Sequence, residues 1–185
     1  MNSQYHIIGL AGYAGTGKDT VRALLEELGF NGMAFADPIR AMLRELLTGN
    51  GISDEYIDSR AFKEKIIPEL GVSYRQMAQT LGTEWGRSLH ADFWLRLAGA
   101  YIADLAESDG HSHFVISDVR FVNEAQWVRD RGGIIWRIER PGVVPVRAHI
   151  SEQELYHFGA DQVIQNTGSI DDLRRAVVEA IGEMT

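Results

Sequence analysis

The segment Gly12-Tyr13-Ala14-Gly15-Thr16-Gly17-Lys18-Asp19-Thr20 has the spacing G-x-x-x-x-G-K. Glycines at these points let a backbone wrap closely round an anion. Successive N–H groups, together with the start of a following helix, then meet negative charge. A lysine after the last glycine reaches the β- and γ-phosphates of a nucleotide and follows the charge as a phosphoryl group moves. Gly12, Gly15, Thr16, Gly17 and Lys18 are therefore the candidate phosphate contacts. The Ser or Thr that usually follows the lysine is replaced by Asp19, with Thr20 next. Asp19 could hold Mg²⁺ directly or through water, and Thr20 offers a hydroxyl.

A second run, Phe114-Val115-Ile116-Ser117-Asp118, is an apolar strand ending in a carboxylate. In an open α/β sheet the strand C-termini share one edge with the phosphate loop. Asp118 is thus expected near the phosphates and as a third Mg²⁺ ligand.

Phosphoryl transfer needs positioning and cationic stabilisation more than a strong base, so arginines rank next. A guanidinium grips phosphate bidentately. Arg75 and Arg87 are candidates for an acceptor's phosphate, singly or together, and Arg40, one turn after Asp37-Pro38, is another. Asp37 reads equally well as a helix N-cap or a substrate contact. Arg137, Arg140 and Arg147 surround the Pro141–Pro145 stretch, which suits a short closing lid. Arg137 and Arg140 would point to opposite faces of a continuing strand, and Arg140 is the preferred catalytic candidate. Trp85 and Trp94 could stack on a base, although aromatics at helical spacing more often fill a core. The six histidines lack metal spacing, and no zinc site is expected.

These residues need elements to place them. His6–Ala11 reads as a buried strand, followed by the glycine turn and a helix with Val21, Leu24, Leu25 and Leu28 on one side. Asp37-Pro38 opens a second helix, and residues 48–60 read as loop. Ser73 with Gln76 caps a helix to about Gly86, and another helix covers Ala91 to Glu107. Strands are expected at 114–116, 134–138 and 162–164. Helices are expected at 123–131, after Ser151, and after Ser169, which forms a cap with Asp172. Strands alternating with helices imply βαβ units: an α/β, three-layer architecture with a mostly parallel sheet and helices on both faces. Residues 1–185 read as one domain. The helical stretch of about 38–107 is too long for one crossover and reads as an insertion that binds the acceptor; about 138–152 reads as the lid.

Composition limits the alternatives. The chain has 185 residues, 45% of them hydrophobic and 24% charged, which is enough for a sizeable core. A net charge of −8 argues against coating nucleic acid or an anionic membrane. Without cysteine there is neither disulfide nor thiolate chemistry. Met1 to Ile8 reads as no signal peptide, and no apolar run is long enough for a membrane span. The expectation is a cytoplasmic protein, the host's cytoplasm if viral. Its long helices could pair two copies into a homodimer.

Several blocks carry a resemblance. Gly17-Lys18-Asp19-Thr20, Leu81-Gly82-Thr83-Glu84-Trp85-Gly86-Arg87, Ser117-Asp118-Val119-Arg120-Phe121 with Asn123-Glu124, His149-Ile150-Ser151-Glu152 and Val163-Ile164-Gln165-Asn166 occur in one order. Together they resemble the bacteriophage deoxynucleoside monophosphate kinases, a branch of the P-loop nucleoside monophosphate kinases, from about residue 6 to about 180. The resemblance implies the P-loop NTPase fold, ATP as donor with Mg²⁺, and a deoxynucleoside 5′-monophosphate as acceptor, giving the diphosphate and ADP. It implies Asn166 beside the adenine, and the residues themselves make Lys18, Asp118 and Arg140 the expected catalytic groups. It further implies a monophosphate-binding region and a mobile lid, and the expected acceptor site is Asp37, Arg40, Arg75, Thr83, Trp85, Arg87, Trp94, Arg120, Asn123, Glu124, His149 and Glu152. Phosphomevalonate or dephospho-coenzyme A kinases share the loop and the sheet. A regulatory ATP-binding switch or ATPase would need a water-positioning residue, and no glutamine after Asp118 suggests one.

Overall fold

Strand β1, His6–Ala11, is buried along all but its first residue. A computed structural model describes residues 5–143 and 157–183. After β1 come α1 (Lys18–Glu27), β2 (Asn31–Met33), α2 (Asp37–Thr48) and α3 (Glu55–Asp58). A two-stranded antiparallel ribbon follows, β3 (Ile66–Ile67) with β4 (Val72–Ser73). Then come α4 (Tyr74–Gln79), a π-helical segment (Thr80–Gly86), α5 (Arg87–Leu89) and α6 (Phe93–Asp109). The remainder is β5 (His113–Ile116), α7 (Val122–Asp130), β6 (Ile134–Glu139), β7 (Gln162–Gln165) and α8 (Ile170–Gly182).

The sheet has the order β2-β5-β1-β6-β7, and every pairing in it is parallel. This is the expected α/β architecture. The phosphate-loop strand lies at its centre, because β1 is apolar enough to be covered on both faces. On one face Leu10, Trp136, Ile138 and Ile164 pack with Val21, Leu24 and Leu25 of α1 and Leu173, Val177 and Ala180 of α8. On the other face Gly9 brings the backbone close to Ile135, Val119 and Val128; a Cβ there would sit 2.8 Å from Ile135 Cδ1.

Contacts divide the chain into two compact units. One runs up to Ala34 and from Gly99 onward, and the other is Phe35–Ala98. The second unit holds α2 to α5, the ribbon and the first residues of α6.

Local chemistry explains where the elements differ from expectation. Strand β2 follows directly on the turn after α1 and carries two polar or glycine residues, so its composition does not announce it. Residues 55–58 form one helical turn inside the expected loop, with Ile57 buried. Asp37 is the first residue of α2, not its N-cap; Ala36 occupies that position, and the Asp37 carboxylate accepts from Arg40 Nη1 at 2.9 Å. Ser73 Oγ does cap α4, accepting from the Gln76 N–H, and Ser169 caps α8 in the same way. The expected helix to Gly86 widens into a π-helix at Thr80. Trp94 explains the widening: its Nε1–H donates to the Gly82 carbonyl at 2.7 Å, and its ring lies so near Gly86 that a Cβ would be 2.4 Å away. The expected helix after Ser151 lies outside the described residues.

At the opposite end of the sheet from the loop, His6 and His113 are register partners on β1 and β5. Their rings stack at 4.7 Å, and Phe30 meets His113 edge-on. Burial, and then the nearby His6, push the His113 imidazole below its ordinary pKa. The unfolded chain takes up this proton near pH 6.5, whereas the folded chain resists until lower pH. Stability is therefore full above pH 6.5 and is lost as pH falls through that value. The thermal midpoint measured by calorimetry should drop less between pH 7.5 and 5.5 in His113→Phe than in the parent. Equal drops would rule out His113 as the source.

Candidate active site

The phosphate loop begins where β1 ends. Gly12, Gly15 and Gly17 adopt φ values of 142°, 87° and 104°, in the region that favours glycine. Gly12 has a second reason to lack a side chain: a Cβ would lie 2.6 Å from the carbonyl oxygen of Ile138 in β6. Thr16 is buried and its hydroxyl donates to the Tyr13 carbonyl at 3.0 Å, closing the turn. Lys18 Nζ curls back and donates to the carbonyls of Gly12 at 2.7 Å and Tyr13 at 2.8 Å. Gly17 is the N-cap of α1 and, as a glycine, has no side chain with which to cap it. The first amides and positive dipole end of α1 thus belong to the loop.

Asn166 secures the loop from the far side. Its Nδ2 donates to the Thr16 carbonyl at 2.8 Å, and its backbone N–H donates to the Glu139 carbonyl at 2.7 Å. Gly17 must be glycine here as well, since a Cβ would come within 2.5 Å of Asn166 Nδ2. Asn166 is the residue expected beside a base, and its side-chain amide is joined to the loop backbone.

Asp118 follows β5. Gly9 of β1 is in register with Ile116, the last residue of β5, and Asp118 lies two residues beyond it in the turn that follows. The turn is fixed by Ser117 N–H to the Met33 carbonyl at 2.9 Å and Val119 N–H to the Leu10 carbonyl at 3.1 Å. Glu124 is 6% exposed, and its Oε2 accepts the N–H groups of Arg120 at 2.7 Å and Phe121 at 3.1 Å. It therefore shapes the backbone between Asp118 and α7. Arg120 itself is exposed, and Asn123 sits in the first turn of α7.

Beside the loop is a cavity of about 330 Å³, lined by Gly12, Tyr13, Thr16, Arg137, Ile138, Glu139, Arg140, Pro141, Val143 and Gln165. Both Arg137 and Arg140 reach it. Strand β6 ends at Glu139, so alternation no longer governs where Arg140 points. Arg137 and Glu139, two residues apart on one face, pair at 2.8 Å, and Gln165 Nε2 donates to the other oxygen of Glu139 at 2.9 Å. Gln165, and then Arg137, hold the Glu139 carboxyl below the usual carboxylate range.

In the Phe35–Ala98 unit, Arg40 pairs with Asp37 and Arg75 with Glu64. Arg44, which the sequence reading did not single out, is bound by Asp54 and Asp58. Trp85 is 43% exposed and packs edge-on against Phe93; Trp94 is 6% exposed and walled in by the π-helix. Thr83 and Arg87 are half-buried. His149 and Glu152 lie outside the described residues. Among the described residues no cluster of three or more metal-ligating side chains occurs, and no helix is long and apolar enough to cross a membrane.

The Asn166 contact should matter to binding more than to folding. Asn166→Ala removes one hydrogen bond to the loop, and about fivefold weaker ADP affinity by calorimetric titration is expected, in line with ~1 kcal/mol for such a bond. Gly17→Ala should be worse, because it combines a left-handed φ with the steric conflict. Unchanged affinity in both variants would show that the loop does not depend on this support.

The chain is similar to known proteins in both sequence and fold. The family model described as deoxynucleotide monophosphate kinase matches residues 54–177. A protein of Acanthamoeba polyphaga mimivirus, provisionally named a deoxynucleotide monophosphate kinase, is 32% identical over 95% of both chains. The deoxynucleotide monophosphate kinase of Escherichia phage RB69 is 31% identical over 55% of this chain and 41% of its own length. Among solved structures, TT1252 from Thermus thermophilus superposes with a TM-score of 0.56 at 23% identity, over 98% of this chain and 99% of that one. The dephospho-CoA kinase of Campylobacter jejuni gives 0.50 at 18% identity, over 96% of each chain. Those two likenesses speak to the fold, whereas the sequence matches place the chain in a family: it belongs to the deoxynucleotide monophosphate kinases.

Proposed function

We propose that this protein transfers the γ-phosphoryl group of ATP to a deoxynucleoside 5′-monophosphate, giving the diphosphate and ADP. The observation that carries the reading is the phosphate loop on the central strand, with Lys18 folded against it and Asp118 in the turn after the neighbouring strand β5. Family membership selects the acceptor class from among the kinases that share the fold.

In this reading the loop amides and the start of α1 bind the donor's β-phosphate. Lys18 follows the charge that builds between the β- and γ-phosphates. Arg140, at the cavity, adds positive charge at the transferring group. Mg²⁺ in such sites takes one or two protein oxygens and fills its remaining positions with phosphate and water. Asp118, Thr20 and Asp19 offer donors of that hard type, and Mg²⁺ when bound would neutralise phosphate charge. Acceptor binding falls to the residues named from the sequence. Arg40, Arg75 and Arg87 would hold the 5′-phosphate, Trp85 would lie against the base, and Thr83, Asp37, Arg120, Asn123 and Glu124 would orient the nucleotide. Trp94 supports Trp85 from the interior. His149 and Glu152 stay in the proposal as sequence-based assignments. The substrates are small molecules in an aqueous compartment, which suits the host cytoplasm.

A coupled ADP-release assay with ATP, Mg²⁺ and each of dAMP, dGMP, dCMP, dTMP and dUMP tests the reading. Turnover should require an acceptor and should fall by at least about 10³-fold in Lys18→Ala, consistent with the loss of roughly 4 kcal/mol of transition-state stabilisation. ADP release that is equal with and without acceptor would instead indicate an ATPase. A second prediction separates the units: Arg75→Ala and Arg87→Ala should raise the acceptor KM about tenfold or more while the ATP KM stays constant, as expected for a lost charge-assisted phosphate contact. A change confined to the ATP KM would move those arginines to the donor.

A further inference from the structure

We propose that Arg137 is a donor-phosphate ligand, and that Glu139 is the positioning residue that holds its guanidinium in the cavity beside the phosphate loop. The inference rests on the donor-site reading above and assigns it two further residues.

Register places the pair. Arg137 is the partner of Ala11, the last residue of β1, so its Cα stands beside the first residues of the loop. Trp136 and Ile138 turn into the core under α1 and α8, so Arg137 and Glu139 emerge together on the other face. Both line the cavity with Gly12, Tyr13 and Thr16. Glu139 is held from two sides: its backbone carbonyl accepts from Asn166 N–H, and its Oε2 accepts from Gln165 Nε2, its register partner on β7. The acid that fixes Arg137 is thus tied to the strand end that also carries the loop's own support, Asn166.

The donor geometry is informative. Arg137 gives only Nε to Glu139, at 2.8 Å, and among the described residues its two terminal nitrogens make no hydrogen bond. Those nitrogens are the fork that matches two phosphate oxygens. A guanidinium anchored through Nε loses less side-chain freedom when it grips a ligand. An exposed ion pair on one strand would add little to folding, and the low carboxyl pKa keeps Glu139 charged throughout the neutral range.

A rival role predicts the opposite sign. If Glu139 merely repelled phosphate, its removal would tighten nucleotide binding. Glu139→Gln keeps the shape and removes the charge. In calorimetric titration with ADP, Glu139→Gln should bind about five- to tenfold more weakly and Arg137→Ala about tenfold or more weakly. The double variant should be no weaker than Arg137→Ala alone. In steady-state assays the ATP KM should rise, while kcat and the acceptor KM stay within about twofold. Tighter ADP binding in Glu139→Gln, additive losses in the double variant, or a rise in the acceptor KM would overturn the inference. So would a lower melting temperature in Glu139→Gln that accounts for the loss. Normal ADP binding in both single variants would sink this inference alone, whereas a parent protein that fails to bind ADP would sink the donor-site reading beneath it.

Discussion

A glycine pressed against a carbonyl sets the conditions for the rest of this molecule. Gly12 lies where any side chain would collide with the Ile138 backbone. That closeness joins the start of the phosphate loop to β6, and β6 in turn is joined to β7 and Asn166. A phosphate cradle must aim several amides inward at once, and amides on a loose turn would be reorganised by each ligand at a cost in affinity. Here the turn is held from both ends: by the parallel strands at Gly12, and by Asn166 at Thr16. The apolar core under α1 and α8 supplies the rigidity, and the loop inherits it.

The same logic explains the division of labour among charged groups. Asp37 with Arg40, Glu64 with Arg75, and Glu139 with Arg137 are at least partly exposed pairs that would each add little to folding. In each pair a carboxylate restrains a guanidinium. An acidic protein that handles anionic substrates needs its few cations in fixed directions, and paired acids give direction at the expense of some attraction.

Much of this was legible in the sequence. The G-x-x-x-x-G-K spacing, the apolar run before Asp118 and the Ser169 cap each have one dominant physical reading, and each is local. The elements that escaped are set by distant partners. Strand β2 has little strand character and exists because β5 offers it an edge. The π-helix depends on Trp94, which reaches back twelve residues to Gly82. Asp37 looked like a cap because caps are chosen by residue type, whereas the chain entered α2 one residue earlier. The cavity pair was visible in principle, since Arg137 and Glu139 stand two apart on a strand and must share a face. Comparing Arg137 with Arg140 instead relied on a strand that stops at Glu139.

The strand order also has a consequence for biosynthesis. β1 leaves the ribosome first among the strands, yet its partners β5 and β6 lie about a hundred residues or more downstream. At ordinary translation rates that interval is on the order of 5–20 s. Throughout it the apolar strand that will carry the phosphate loop has no neighbour to pair with. Pairing over such sequence distances is slow even in the finished chain. The yield of folded protein in a cell therefore depends on how well β1 is shielded until β6 arrives, and a pause in synthesis before residue 134 would be costlier than one after it.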